Sequence, residues 1–362
     1  MEQFNFTRLD IARRRRGMTK SKLAEAAGLA PRTLRAYELG DRELTREAAA
    51  ALAAAVNFPA AFFFGDDLAE PSLEGVSFRS LKSMTARQRD QARGSAALAT
   101  RLADWISERF DLPEVSVPRL RGEDPERAAD AVRAAWGLGI RRAPNMVHLL
   151  EAHGVRVFSL AEEYKEVDAF SFWRDGIPYI FLNTYKTSEH SRMDAAHELG
   201  HLVLHFWGGP GGREAEDQAK AFAGSFLMPK ASVVAAAPRG GSARQIIQAK
   251  QHWNVSAMAL AYRMRKLNLL TEWQVRSAYV ELGRLGFRDG EPGGIPRESS
   301  RALAKIFATL REEGTTKSHV AAELGIPLSE LDKIVFGLMM TEVPAGDDVQ
   351  LTPAVRPDLR LV

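Results

Sequence analysis

The sequence predicts a mainly α-helical chain with one small β-sheet, an α+β fold. Three observations carry that expectation. Four short runs with helical periodicity fill residues 5–64. Three Val-, Ile- and Phe-rich runs lie close together at 154–160, 167–173 and 177–183, and helical periodicity returns beyond Arg239. The order suggests an all-α N-terminal domain at 1–65, a connector with a helix at 66–122, a central α+β domain at 123–275 and a helical extension at 276–362.

The first helices are expected through LDIARRRR, SKLAEAAG, PRTLRAYELG and REAAAALAAAVN. Gly28-Leu29-Ala30 separates the middle two at the spacing of a helix-turn-helix. Thr19 suits the N-cap of the first of that pair, and Pro31 the first turn of the second. A connector with Pro71 and Gly75 spans 66–83, and a helix is expected over about 84–110. After a Pro-containing boundary at 113–125, helices are expected at 126–136 and 144–153. Asp175-Gly176 divides the last two strand runs. A helix follows from about Ser188, then the glycine loop at 208–212, then a helix from Arg213 to Met228-Pro229. A turn-rich break lies at 286–296, and the tail from Val343 lacks periodicity.

The chain also echoes itself. TTKSHVAAELGIPLSELDKIVFG (315–337) aligns with MTKSKLAEAAGLAPRTLRAYELG (18–40), matching Thr316 with Thr19, Gly325 with Gly28 and Leu331 with Leu34. The second copy begins its second helix with Leu328, Ser329 and Glu330 and lacks basic residues there. A packing or dimerisation role is therefore expected of it, not contact with DNA.

Composition limits the functions available. At 362 residues, 45% hydrophobic and 26% charged, the chain has the makeup of a globular protein with a sizeable core. It has no run of 18 apolar residues and no apolar leader at its start, so no membrane association is expected and a cytoplasmic location is. The absence of cysteine excludes disulfides and thiolate metal sites, so any metal must use His and carboxylates. Net charge is +3, yet residues 1–65 alone hold eleven Lys or Arg against seven Asp or Glu, a net +4. A compact basic module of this kind suits a polyanion.

The most informative stretch is MDAAHELGHLVLH (193–205), where His197, Glu198 and His201 spell H-E-x-x-H. On a helix, residues four apart share a face, so both imidazoles can reach one tetrahedral Zn²⁺. Glu198 lies about 100° round and can act as general base toward a water. His205 is about 12 Å from His197 along the axis, too far to share the ion, and is expected in a supporting role. A third ligand must come from elsewhere, and the next helix offers Glu216 first and Glu214 second. Glu216, Ala219 and Ala223 lie on one face, whose small residues would allow close helix approach. Tyr262 and Arg263 are candidates for stabilising an oxyanion.

FxNTYKTSEHSRMDAAHELGHLVLH followed by REAEDQAKAFAGSFLMP resembles the ImmA/IrrE family of bacterial metallopeptidases, and HWNVSAMALAYRMRKLNLL (252–270) is similar to the helices that follow in it. The resemblance covers about residues 140–275. It implies a zincin-like domain with zinc held by His197, His201 and Glu216, Glu198 as base, and cleavage of a protein substrate such as a repressor. It also implies that the strand at 177–183 offers an edge for an extended peptide.

MTKSKLAEAAGLAPRTLRAYELGDR, framed by Leu23, Ala24, Gly28, Leu34 and Glu38, resembles the XRE helix-turn-helix family. Arg32, Thr33 and Arg35 would meet base edges of double-stranded operator DNA, and Lys20 and Arg42 its phosphates. Pro31 and Ala36 depart from that family's usual polar readers. Of Arg13–Arg16, at most two are expected to face any one partner. XRE domains commonly bind two-fold sites as homodimers. The combination suggests a DNA-binding regulator with a zinc endopeptidase domain. The alternative is an antitoxin or repressor whose peptidase-like domain holds a toxin or other partner without cutting it.

Overall fold

The computed structural model describes residues 3–68, 85–160, 169–206, 212–238, 240–288 and 290–339. The connector around Pro71 and Gly75, the first residues of the 167–173 run, most of the glycine loop and the tail from Val343 lie outside them.

Helices α1 (Phe6–Arg15), α2 (Lys20–Ala26), α3 (Pro31–Leu39) and α4 (Arg46–Val56) form the N-terminal domain. Local chemistry sets their ends. The Thr19 hydroxyl accepts the Lys22 N–H at 3.2 Å, and Pro31 occupies the first turn of α3. Gly28 takes the left-handed conformation (φ +67°) that the turn between α2 and α3 requires. Leu9, Leu23, Leu34, Leu52, Val56, Phe62 and Phe63 close the core.

Helix α5 (Ala86–Ser107) lies against α1, and Gly94 makes this contact possible. A Cβ there would sit 3.2 Å from the Arg15 backbone. Next come α6 (Pro125–Ala135) and α7 (Met146–Ala152), then β1 (Arg156–Ser159), β2 (Ala169–Arg174) and β3 (Ile177–Leu182). The sheet order is β1-β3-β2, with β1 parallel and β2 antiparallel to β3. This corrects the expectation of a free edge at 177–183. Strand β3 is central, with its backbone hydrogen bonds committed to a neighbour on each side, so no extended peptide can pair with it.

Two helices cover the face of β2 that carries Ser171 and Trp173: α8 (Ser188–Leu204) directly, and α9 (Arg213–Leu227) packed on α8. Farther along are α10 (Lys230–Ala236), α11 (Ala243–Lys250), α12 (Ala257–Lys266) and α13 (Glu272–Arg284). The segment after α13 is pinned to the first half of α8. Ile295 N–H donates to Glu189 at 2.9 Å, Lys250 pairs with Glu189 (3.3 Å) and Glu291 (2.8 Å), and Arg192 pairs with Glu298.

The chain ends its described part in α14 (Arg301–Glu312), α15 (Lys317–Leu324) and α16 (Leu328–Val335). The α15–α16 pair repeats α2–α3 in its chemistry as well as its sequence. Thr316 caps α15 as Thr19 caps α2, and Gly325 adopts φ +67° as Gly28 does. This second unit packs one face against the rest of the molecule. Buried Glu330 accepts from Arg15 Nε at 2.7 Å and Arg16 Nη1 at 2.6 Å. Trp105 Nε1 donates to Glu323 and Arg101 Nε to the Leu324 carbonyl, both at 2.8 Å. A carboxylate shared by two guanidinium groups, one of them buried, cannot be removed cheaply. Glu330→Ala is therefore expected to cost about 3–5 kcal/mol, read as a lower urea midpoint at pH 7. An unchanged midpoint would mean that Glu330 does not hold the two ends together.

Candidate metal centre and nucleic-acid interface

Helix α8 is largely buried although many of its residues are polar; His197, Glu198 and His201 lie in its last turns and His205 is its C-cap. Its packing on α9 is governed by Gly200. A Cβ at Gly200 would lie 3.2 Å from the Ala219 Cα and 3.1 Å from the Phe222 ring. Ala219 and Ala223 on α9 are fully buried. Small residues on both helices therefore let the backbones approach, and Glu216, one turn before Ala219, reaches the histidines.

The three side chains converge. His197 Nε2 lies 3.2 Å from Glu216 Oε2, His201 Nε2 lies 3.5 Å from Glu216 Oε1, and the two Nε2 atoms are 3.1 Å apart. A tetrahedral ion with bonds of about 2.0–2.1 Å needs ligand atoms about 3.3 Å from one another. The triangle has that size, and a two-nitrogen, one-carboxylate set is the donor set of a catalytic zinc site with one position left open. Glu214, the other candidate, is exposed and bonds to Gln218 at 3.3 Å, away from both imidazoles.

Electrostatics ties the set together. Burial opposes the charge on Glu216, but the neighbouring imidazoles of His197 and His201 hold its carboxyl well below the usual range. Burial likewise opposes a charged His197, yet the bond to Glu216 and the charges of Glu198, Glu216 and Asp194 raise its pKa. Asp194, one turn before Glu198, is pushed up to about 7 by burial and by Glu198, against the pull of Lys186 and His197.

Glu198 is buried, and its Oε2 accepts the Ser171 hydroxyl of β2 at 2.6 Å. Sequence reasoning missed Ser171. The signal was a lone hydroxyl inside the apolar run AFSFW, since a buried polar group needs a partner. His205 stays outside the triangle, with Nδ1 3.0 Å from His201 Nδ1 and Nε2 2.9 Å from Gln218 Oε1. Burial, the largest influence, lowers its pKa.

Arg263 does not serve the site. It is buried and donates to the Met228 carbonyl, the Ser225 hydroxyl and the Glu126 carboxylate at 3.1, 3.2 and 2.6 Å. These bonds tie α12 to α6 and α9, so the expectation of an oxyanion role gives way to a structural one. The Tyr262 ring is flanked by Lys220 and Lys266 at 4.7 and 5.6 Å.

On the N-terminal domain, Arg32 and Arg35 project from the first turns of α3 and are exposed, and Thr33 beside them is half-buried. Lys20 pairs with Glu38 at 2.8 Å on the surface, and Arg42 lies over the Tyr37 ring at 5.6 Å. The four-arginine run does not share this face. Arg13 and Arg14 pair with Asp10, at 2.5 and 2.8 Å, and Arg15 and Arg16 with Glu330. Each of the four is already paired with an acid of this chain, two arginines to each carboxylate.

Comparison with known families agrees with this layout. Residues 9–63 match a helix-turn-helix family model, and residues 150–265 match the model for the IrrE N-terminal-like domain. No curated protein matches the chain. The chain is thus a fusion of an XRE-type helix-turn-helix domain with a domain of the ImmA/IrrE metallopeptidase family. None of the described helices is long and apolar enough to cross a membrane.

The raised pKa of His197 has a measurable consequence. Its proton must leave before a metal can bind, so zinc affinity should rise about tenfold per pH unit until His197 is neutral, and then level off. Chelator-competition titrations from pH 5.5 to 8 read this slope. Glu216→Ala should abolish tight binding and Glu214→Ala should keep it stoichiometric. The reverse order would exchange the two carboxylates.

Proposed function

We propose that this protein is a DNA-binding regulator whose central domain is a zinc-dependent endopeptidase acting on a protein partner. The observation that carries the reading is the His197–His201–Glu216 triangle beside a Glu198 anchored by Ser171. Zinc in that triangle would supply Lewis-acid polarisation of a peptide carbonyl and a lowered pKa for the attacking water. The Ser171 hydroxyl orients Glu198 through Oε2, and the carboxylate so placed would take a proton from that water and pass it to the leaving nitrogen. His197, His201 and Glu216 hold the site in place from two helices that Gly200 allows to touch.

The helix-turn-helix domain would bring this chemistry to an operator. Arg32 and Arg35 suit base edges in the major groove, with Thr33 beside them, while Lys20 and Arg42 suit phosphates. Two copies on a two-fold site would set the recognition helices about 34 Å apart. Arg32→Ala or Arg35→Ala should each cost about 1–3 kcal/mol and relax sequence preference. Lys20→Ala should weaken all sequences alike and flatten the salt dependence. Binding titrations at several salt concentrations separate the two patterns, and equal losses on all sequences for every variant would remove Arg32 and Arg35 from base readout.

Cleavage is tested with Glu198→Gln, which should keep zinc and DNA binding. Mapping of new protein N-termini in cells should reveal fragments that depend on the wild-type protein and vanish with the variant. If the variant supports every cellular function and no fragment depends on Glu198, the domain binds its partner without cutting it, as an antitoxin would.

A further inference from the structure

Beyond the three ligands, a chain of side chains runs outward from His201 along the α8–α9 seam: His205, then Gln218, then Glu214. The direction of its hydrogen bonds can be worked out from the outer end. A carboxylate only accepts, so the Gln218 amide turns its Nε2 toward Glu214 Oε1, at 3.3 Å. The opposite orientation would set two oxygens against each other. The Gln218 Oε1 then faces His205 Nε2 at 2.9 Å, and that nitrogen must carry a hydrogen. In the neutral ring His205 Nδ1 is bare, so at 3.0 Å it must accept a hydrogen from His201 Nδ1. A bare His201 Nδ1 would put two lone pairs face to face. With its hydrogen on Nδ1, His201 keeps an open lone pair on Nε2, which can accept from His197 Nε2 at 3.1 Å.

We propose that His205, Gln218 and Glu214 are positioning residues that fix the tautomer and ring orientation of His201, so that its Nε2 is ready for a metal ion. This rests on the metal-site reading above and names the residues that support it. The imidazole partners of metal ligands generally act in this way, orienting the ring and raising its basicity. Gln218 and Glu214 lie four apart on α9, and His205, the C-cap of α8, follows His201 by four. The chain therefore spans both helices and makes the orientation of His201 depend on their packing.

The test uses the full-length protein, stripped of metal and titrated with zinc alone against a chromogenic chelator at constant pH. His205→Ala should weaken zinc binding about 10–100-fold, the usual loss for a partner of this kind. His205→Gln, whose amide oxygen can accept from His201 Nδ1, should recover most of it. Gln218→Leu, a half-buried surface change that keeps the fold even if His205→Ala does not, should lose severalfold. Histidine ¹⁵N spectra of the zinc-free wild type should show His201 with its hydrogen on Nδ1, and mixed tautomers in His205→Ala. Zinc affinities within twofold of wild type for both His205→Ala and Gln218→Leu would overturn the proposal, as would a hydrogen on His201 Nε2. A wild-type protein that binds no zinc would sink the metal-site reading instead, and the tautomer spectra would still decide this one.

Discussion

The close approach of two helices at Gly200 is the constraint from which the central site follows. Gly200 has no side chain where the Ala219 backbone passes, and that absence sets how near α9 can come to α8. At this spacing Glu216 stands across from both His197 and His201, and Gln218 from His205. A larger residue at 200 would push α9 outward and separate the carboxylate from the imidazoles. The H-E-L-G-H motif thus carries a packing instruction as well as a chemical one.

The same half of the molecule is braced from the C-terminal side. Acids and bases on α8 itself, Glu189 and Arg192, take partners from the segment after α13. Helix α8 is held at its start by that segment and at its end by α9. Buried ion pairs are poor sources of net stability but strict about geometry once formed. Here they fix the helix that presents two of the three candidate metal ligands, His197 and His201.

At the other end, charge that reads as a nucleic-acid signal is spent inside the fold. Arg15 and Arg16 meet Glu330, which sits in the repeat of the helix-turn-helix sequence. The repeat kept the capping threonine and the left-handed glycine, and lost the basic positions of the recognition helix. It has become a packing unit against α1 and α5. The surface available to DNA is reduced to the few side chains at the start of α3 and its flanks.

The sequence by itself determined the local features: the helix-turn-helix with its cap and glycine, three short strands, and an H-E-x-x-H helix followed by an acid-bearing helix. Each depends on periodicity or on residues within one or two turns, which a linear reading captures. It ranked Glu216 above Glu214 from the spacing of small residues, and the fold places Glu216 by the histidines. Tertiary structure decided what depends on partners far apart in the chain. Strand order put β3 in the middle, because pairing is set by packing on both sides and not by the strand's own residues. Ser171 met Glu198, Arg263 turned to Glu126, and the arginine run was taken up by Asp10 and Glu330. Charge can be counted from a sequence, but what neutralises it is known only when the chain has folded back on itself.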